Sequence, residues 1–332
     1  MELVAPNRPM LDYLPVGLFG SVMGLTGLSV AWHLAGARYG LPGWVARAIA
    51  AAAVLAFVSL LVGYGIKLAT APDAVRAEFR HPIAGNLFGT VPISLLLLPI
   101  VAAPHARLLA QASWSVGAAG MVLFAWLVVG RWMSDQQQVA HATPAWIIPV
   151  VGLLDLPLAL PSLYLPPMPG LTAFALAVGL FFAVPLFTLV FSRLVFEPPL
   201  PDPLKPSLLI LAAPFAVGYS AYTATTRGAV ATGGADPFAE GLYMVMLFVL
   251  AVLLGQLRHL PACCPFRVSW WAVSFPLAAS SVAALRFAAA RPGLATDAIA
   301  IALLVLATLV VAVLLGRTVA GLLRGELREL ST

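Results

Sequence analysis

Hydrophobic positions along this chain fall into ten long, nearly unbroken runs, separated by short stretches where Pro, Gly and charged residues collect. The runs predict helices near 14–35, 46–68, 86–103, 108–133, 144–162, 171–195, 206–225, 238–257, 270–290 and 296–323. Crossing a hydrocarbon core of about 30 Å takes about 20 helical residues, and the runs are of that order. No water reaches the backbone at that depth, so a crossing segment is either a helix or a strand of a closed barrel. These runs are too long and too uniformly apolar for barrel strands. The pattern predicts an all-α polytopic membrane protein with ten transmembrane helices, forming one transmembrane domain over residues 1–332.

Proline placement adds an organisation to the ten runs. Every odd-numbered span carries one: Pro15 at the start of the first, Pro92 and Pro99 in the third, Pro149 and Pro157 in the fifth, Pro214 in the seventh and Pro276 in the ninth. Among the even spans only the sixth does, at Pro185. Proline removes a backbone donor and clashes with the preceding turn. A helix broken in this way is expected to face protein or water rather than lipid. Pro92, Pro149, Pro214 and Pro276 follow one another at intervals of 57, 65 and 62 residues, close to the length of a helical hairpin with its loops. The reading is five hairpins in series around a central pore, each with a Pro-kinked inner helix and a straight outer one. The competing reading is that membrane helices are simply rich in proline.

Composition agrees with the spans. Of 332 residues 61% are apolar and 9% charged, against roughly a quarter charged in soluble domains. The +5 balance is arginine scattered over loops, with Lys67 and Lys205 the only lysines, so a clustered nucleic-acid face is not expected. Arg8, Lys67, Arg76, Arg80, Arg131, Arg193, Lys205, Arg258, Arg267, Arg317, Arg324 and Arg328 fall at the termini and even-numbered loops. The odd loops hold only Arg38, Arg47, Arg107, Arg227, Arg286 and Arg291. Both termini are therefore expected in the cytoplasm. The N-terminus has no signal-peptide apolar region, so the first span is expected to persist in the mature protein. Cys263 and Cys264 are adjacent in a cytoplasmic-side loop and suggest neither a disulfide framework nor a metal site. The histidines, at 33, 81, 105, 141 and 259, form no pair at metal-ligand spacing. No phosphate-binding Gly-Lys loop occurs, and no polar cluster suggests catalysis. No cofactor, metal, ATP or nucleic acid is expected.

Three features could carry chemistry. Gly17, Gly20, Gly24 and Gly27 share one face of the first span, which makes either a small-residue packing seam or the wall of a narrow conduit. In the ninth span Trp270 and Trp271 read as an interfacial aromatic belt. Phe275, just before Pro276, projects at a bend and reads either as core or as a hydrophobic constriction on a pore axis. Asp155, between Leu154 and Leu156, is an acid placed deep in the bilayer. It is open to proton coupling, cation binding, or a structural pairing with Arg286, Ser220 or Tyr222.

Several segments together resemble the tellurite-resistance/dicarboxylate transporter family, which includes bacterial TehA and the plant guard-cell slow anion channels. They are Pro15 to Thr26, His81-Pro82 with Asn86 to Phe88, Leu200-Pro201 to Pro206, Ala213-Pro214, and Ser269 to Pro276. The resemblance implies ten helices in five hairpins around a pore, a phenylalanine plug at Phe275, Gly17, Gly20 and Gly24 in the lining, and a homotrimer in the bacterial inner membrane. Asp155 departs from the family pattern.

The leading expectation is a passive channel for small inorganic or organic anions, such as chloride or nitrate, gated by Phe275. The alternative is a proton-coupled alternating-access carrier of a C4-dicarboxylate, tellurite or a related oxyanion, with Asp155 titrating. A non-conducting sensor or scaffold is a third reading.

Overall fold

The computed structural model describes residues 11–226, 236–258 and 264–331. Arg8, Arg227, His259 and Cys263 lie outside the described residues. Ten helices are long and apolar enough to cross a membrane: Val16–Tyr39, Gly43–Thr70, Ala84–Ala102, Arg107–Ser134, Pro144–Leu163, Pro169–Phe196, Asp202–Thr226, Pro237–Leu257, Val268–Ala290 and Leu294–Leu323. No strand occurs among the described residues.

Odd and even spans differ in burial. In the central windows of the odd spans 61% to 78% of residues are buried; in the even spans the share is 11% to 39%. Large apolar side chains open to the surroundings, such as Leu55, Trp126, Phe181, Phe248 and Leu309, sit on even spans, and the odd spans carry none among the described residues. In water such a surface would aggregate; in lipid it is the solvated face. The odd spans form the interior, each packing on the next odd span, and the ninth closes onto the first.

Hydrogen bonding differs in the same way. Each even span is one uninterrupted α-helix. Each odd span opens with a 3-10 stretch, at Val16–Leu18, Ala84–Gly89, Pro144–Ile147, Asp202–Ala212 and Val268–Val273, and then becomes α-helical. The fifth repeats the change, with a second 3-10 stretch at Gly152–Asp155. Pro92, Pro149, Pro214 and Pro276 are each the second or third residue of the α-helical part. First-turn N–H groups have no partner within their α-helix, so proline there removes no bond from it. The structure puts these prolines where one helix type hands over to the other. Pro15 immediately precedes the first 3-10 stretch, whereas Pro99 and Pro185 lie inside α-helix.

A buried ionic network fixes the start of the first span. The short helix Pro72–Arg80, between the second and third spans, presents Glu78. Its Oε1 accepts from the Val16 backbone N–H at 2.7 Å, and its Oε2 accepts from Lys67 Nζ at 2.6 Å and Tyr64 Oη at 2.9 Å. Lys67 Nζ also donates to the Leu14 carbonyl at 2.7 Å. Lys67, a flank charge by sequence, is buried, its side chain only 4% exposed. Removing one member of a buried pair strands the other charge, typically at about 3–5 kcal/mol. Lys67→Met is expected to lower the melting temperature of the purified protein clearly, and Lys67→Met/Glu78→Leu to lower it less. A single mutant as stable as wild type would contradict this account of the network.

Candidate functional site

The ring of odd spans surrounds a cavity of about 260 Å3. Its walls come from all five odd spans, their leading loops and the C-terminal helix Leu327–Ser331, with no residue from an even span. Within the spans most of the lining residues lie in the first halves, with Asp155 and Val217 past the middle of theirs: Gly17, Gly20 and Met23; Leu87, Thr90 and Ile93; Ile148, Gly152 and Asp155; Ser207, Ile210 and Val217; Ser269, Phe275 and Pro276. The cavity therefore belongs to the end of the bundle where the 3-10 stretches gather. Past it, the ninth span is buried without a break from Pro276 to Leu285, through Ala278, Ala279, Ser280 and Ser281.

Phe275 is the second residue of the α-helical part of its span, half-buried in this lining. Its ring lies beside Gly27, where an added Cβ would come to 3.8 Å from Cδ2. The glycine face of the first span divides between the two roles left open by the sequence. Gly17 and Gly20 line the cavity, and an added Cβ on Gly20 would meet nothing within 4 Å. Gly24 does not line it; its Cα rests against the Ser274 side chain, and Gly27 against Ala278. The outer part of the face lines the cavity and the deeper part is packing seam. Of the four junction prolines only Pro276 reaches the cavity; Pro92, Pro149 and Pro214 set the helix junctions behind it.

The lining is mainly apolar; Arg267 and Ser331 are among its polar members, Ser331 donating to the Leu327 carbonyl at 2.7 Å, and five others fall into two groups. Thr90 and Ser207 donate to main-chain carbonyls, Thr90 to Leu87 at 2.6 Å and Ser207 to Leu204 at 2.6 Å. Thr143 Oγ1, Asp155 Oδ1 and Ser269 Oγ have no hydrogen-bond partner. Asp155 is 2% exposed and ends the second 3-10 stretch of the fifth span. It forms no ion pair with Arg286, which instead donates to the Ser220 carbonyl at 3.1 Å. Trp271 is not part of an interfacial belt: it is buried, and its Nε1 donates to Thr318 Oγ1 on the tenth span at 2.9 Å.

Residues 13–319 match the model of a family described as SLAC1, the voltage-dependent anion channels. The chain belongs to that family. The S-type anion channel SLAH3 of Arabidopsis thaliana is 29% identical over 298 residues, covering 86% of this chain and 45% of that protein. The tellurite resistance protein TehA homolog of Haemophilus influenzae is 25% identical over 288 residues, 82% of this chain and 80% of its own. An uncharacterized transporter of Methanocaldococcus jannaschii is 28% identical over 246 residues, 68% of this chain and 70% of its own. Membership joins the ten apolar helices in marking an integral membrane protein of a channel and transporter family.

Within this SLAC1-family chain, the division of the glycine face is directly testable. Gly24→Ala drives a methyl group into Ser274 and is expected to destabilise by about 1–3 kcal/mol, as overpacking does. Gly20→Ala is expected to fold like wild type. Melting temperatures of the two purified variants check this, and equal values would remove the distinction.

Proposed function

We propose that the chain is a passive channel for small anions of the chloride or nitrate kind, and that they pass through the cavity ringed by the odd spans when the ring of Phe275 moves aside. The observation that carries this reading is the position of Phe275, an aromatic side chain in the wall of a cavity lined by all five odd spans, just before the stretch of the ninth span that is buried without a break. The anion-channel names of the Arabidopsis relatives support the choice of substrate class. A mainly apolar wall without ion-paired charges binds ions weakly, which suits fast conduction, since a tightly held ion does not leave. The proposal treats residues 1–332 as one transmembrane unit that assigns no catalytic chemistry, cofactor or ATP to the chain. It places the protein in a bacterial inner membrane with both termini cytoplasmic, as a homotrimer with a separate pathway in each subunit.

A second reading is favoured by one observation, the unpartnered oxygen of Asp155 in the same cavity. Here Asp155 is the proton-binding group of a coupled carrier for a dicarboxylate, tellurite or a related oxyanion, and the TehA relative supports that class of cargo. The two readings separate in proteoliposomes. Under the channel reading Phe275→Ala raises chloride and nitrate flux several-fold, and Asp155→Asn leaves flux down a gradient largely intact. Unchanged flux in a well-folded Phe275→Ala protein overturns the plug. Loss of pH-driven uptake in Asp155→Asn, with no electrodiffusive flux in wild type, establishes the carrier instead.

A further inference from the structure

Two charged residues belong to the cavity lining, Arg267 and Asp155. They sit at different depths. Asp155 lies past the middle of the fifth span, Pro144–Leu163, whereas Arg267 comes immediately before the ninth span, Val268–Ala290, in the loop that leads into it. The charge at the entrance is therefore the arginine. It is half-buried, and no carboxylate among the described residues forms an ion pair with it. A guanidinium does not lose its proton in a protein, so this charge is fixed.

Charges close to the same entrance leave that field standing. Lys205 and Asp202, which flank the lining residues Pro203 and Leu204, neutralise each other in an ion pair at 2.6 Å. Arg328 of the C-terminal helix is paired with Asp12 at 2.5 Å. Arg317 of the tenth span stands 5.8 Å from the ring centre of Phe266, the chain neighbour of Arg267, and adds positive charge behind it. The first glycine of the conduit with open space is within the reach of this field. Ser274 donates to the Gly20 carbonyl at 3.4 Å. The 3-10 stretch Val268–Val273 separates Ser274 from Arg267, and at a rise of about 2.0 Å per residue it sets the two about 14 Å apart.

We propose that Arg267 is the charge-selecting residue of the cavity entrance: its field draws small anions into the cavity and holds cations back, without gripping either. The inference rests on the anion-channel reading, in which the anions so gathered are the ones that pass. A fixed charge beside a cleft with apolar walls raises the local concentration of counter-ions, because the walls focus its field. At about 14 Å in water, a unit charge changes the concentration of a monovalent ion about 1.6-fold, upward for anions and downward for cations. The ratio of the two therefore shifts about threefold at low salt. Arg267 belongs to the wall of the interior cavity and not to the even spans that face lipid, so the ions it sorts are dissolved ones.

The test reads the field inside the cavity without relying on conduction. In the full-length chain with Cys263 and Cys264 replaced by serine, a thiol is introduced by Gly20→Cys, and its labelling rates by an anionic, a cationic and a neutral methanethiosulfonate are compared in phosphatidylcholine liposomes. In about 10 mM salt, where screening reaches only beyond about 30 Å, Arg267→Gln is expected to lower the anionic-to-cationic rate ratio about threefold and to leave the neutral rate unchanged. Arg267→Lys keeps the ratio, and Arg267→Glu lowers it about ninefold. In about 1 M salt, with a screening length of about 3 Å, the differences disappear. A Gly20→Cys that no reagent labels overturns the proposal, as does a ratio that is the same for Arg, Gln and Glu at residue 267. If Arg267→Gln does not fold, a ratio in the Arg267 protein that is indifferent to salt overturns it equally. An effect of residue 267 that vanishes when phosphatidylglycerol is added assigns the arginine to a lipid headgroup and also overturns it. Chloride flux through the Phe275→Ala protein is read separately: flux with a ratio indifferent to residue 267 removes the selecting role and keeps the channel, whereas a ratio set by residue 267 without flux keeps the role and removes the channel.

Discussion

Backbone hydrogen bonding in lipid is the constraint on which the rest of this structure depends. Each N–H and C=O in a hydrocarbon environment must find its partner within the protein, and the regular α-helix provides one along its length. The even spans, which carry the exposed Leu, Phe and Trp side chains, are uninterrupted α-helices. Departures into 3-10 geometry, with its poorer hydrogen bonds, are concentrated in the odd spans, which the even spans screen from lipid. A protein that needs irregular helices at membrane depth therefore needs an outer layer, and the alternation of kinked-reading and straight-reading runs in the sequence is the trace of that need.

The cavity follows from the same arrangement. The 3-10 stretches gather at one end of the bundle, with a proline fixing where four of the five spans return to α-helix. At that end Gly20 leaves open space and Gly17 lets Leu87 of the third span come close, whereas deeper in the bundle Gly24 and Gly27 bring the first and ninth spans together. The result is open at the level of the 3-10 stretches, and the ninth span is tightly packed past Phe275. The Glu78 network holds the first of these 3-10 stretches in place by accepting from the Val16 N–H, so the connecting helix Pro72–Arg80 contributes to the shape of the cavity without lining it.

Much of this was legible in the amino-acid order. The ten spans and the separation of inner from outer helices follow from apolar run length and proline placement, because both report on what surrounds the backbone. The helix type at the junctions was not legible, since a proline near the start of an α-segment and a proline kinking a longer helix look alike in sequence. Gly20 and Gly24 were indistinguishable by spacing; only the position of Ser274 separates them. Lys67 and Arg193 both read as loop-flanking charges because they lie near span ends, yet both are buried. For Arg193 a signal existed: it continues the small-residue stripe through Gly179 and Ala183, which marks the inward face. For Lys67 the missing information was tertiary, the return of Glu78 from a separate helix.

The central claim is that a water-filled path runs along the ring of odd spans and is stoppered at Phe275. Aqueous thiol labelling tests it most directly, in a protein whose Cys263 and Cys264 are replaced by serine. Gly20→Cys lies before the plug in the cavity, and Ala279→Cys one turn beyond Phe275 on the same helix face. With a charged thiol reagent applied from the side where the odd spans begin, Gly20→Cys should react whether residue 275 is Phe or Ala, and Ala279→Cys should react appreciably only when Phe275→Ala is also present. An unreactive Gly20→Cys, or an Ala279→Cys whose labelling rate does not depend on residue 275, would contradict the account.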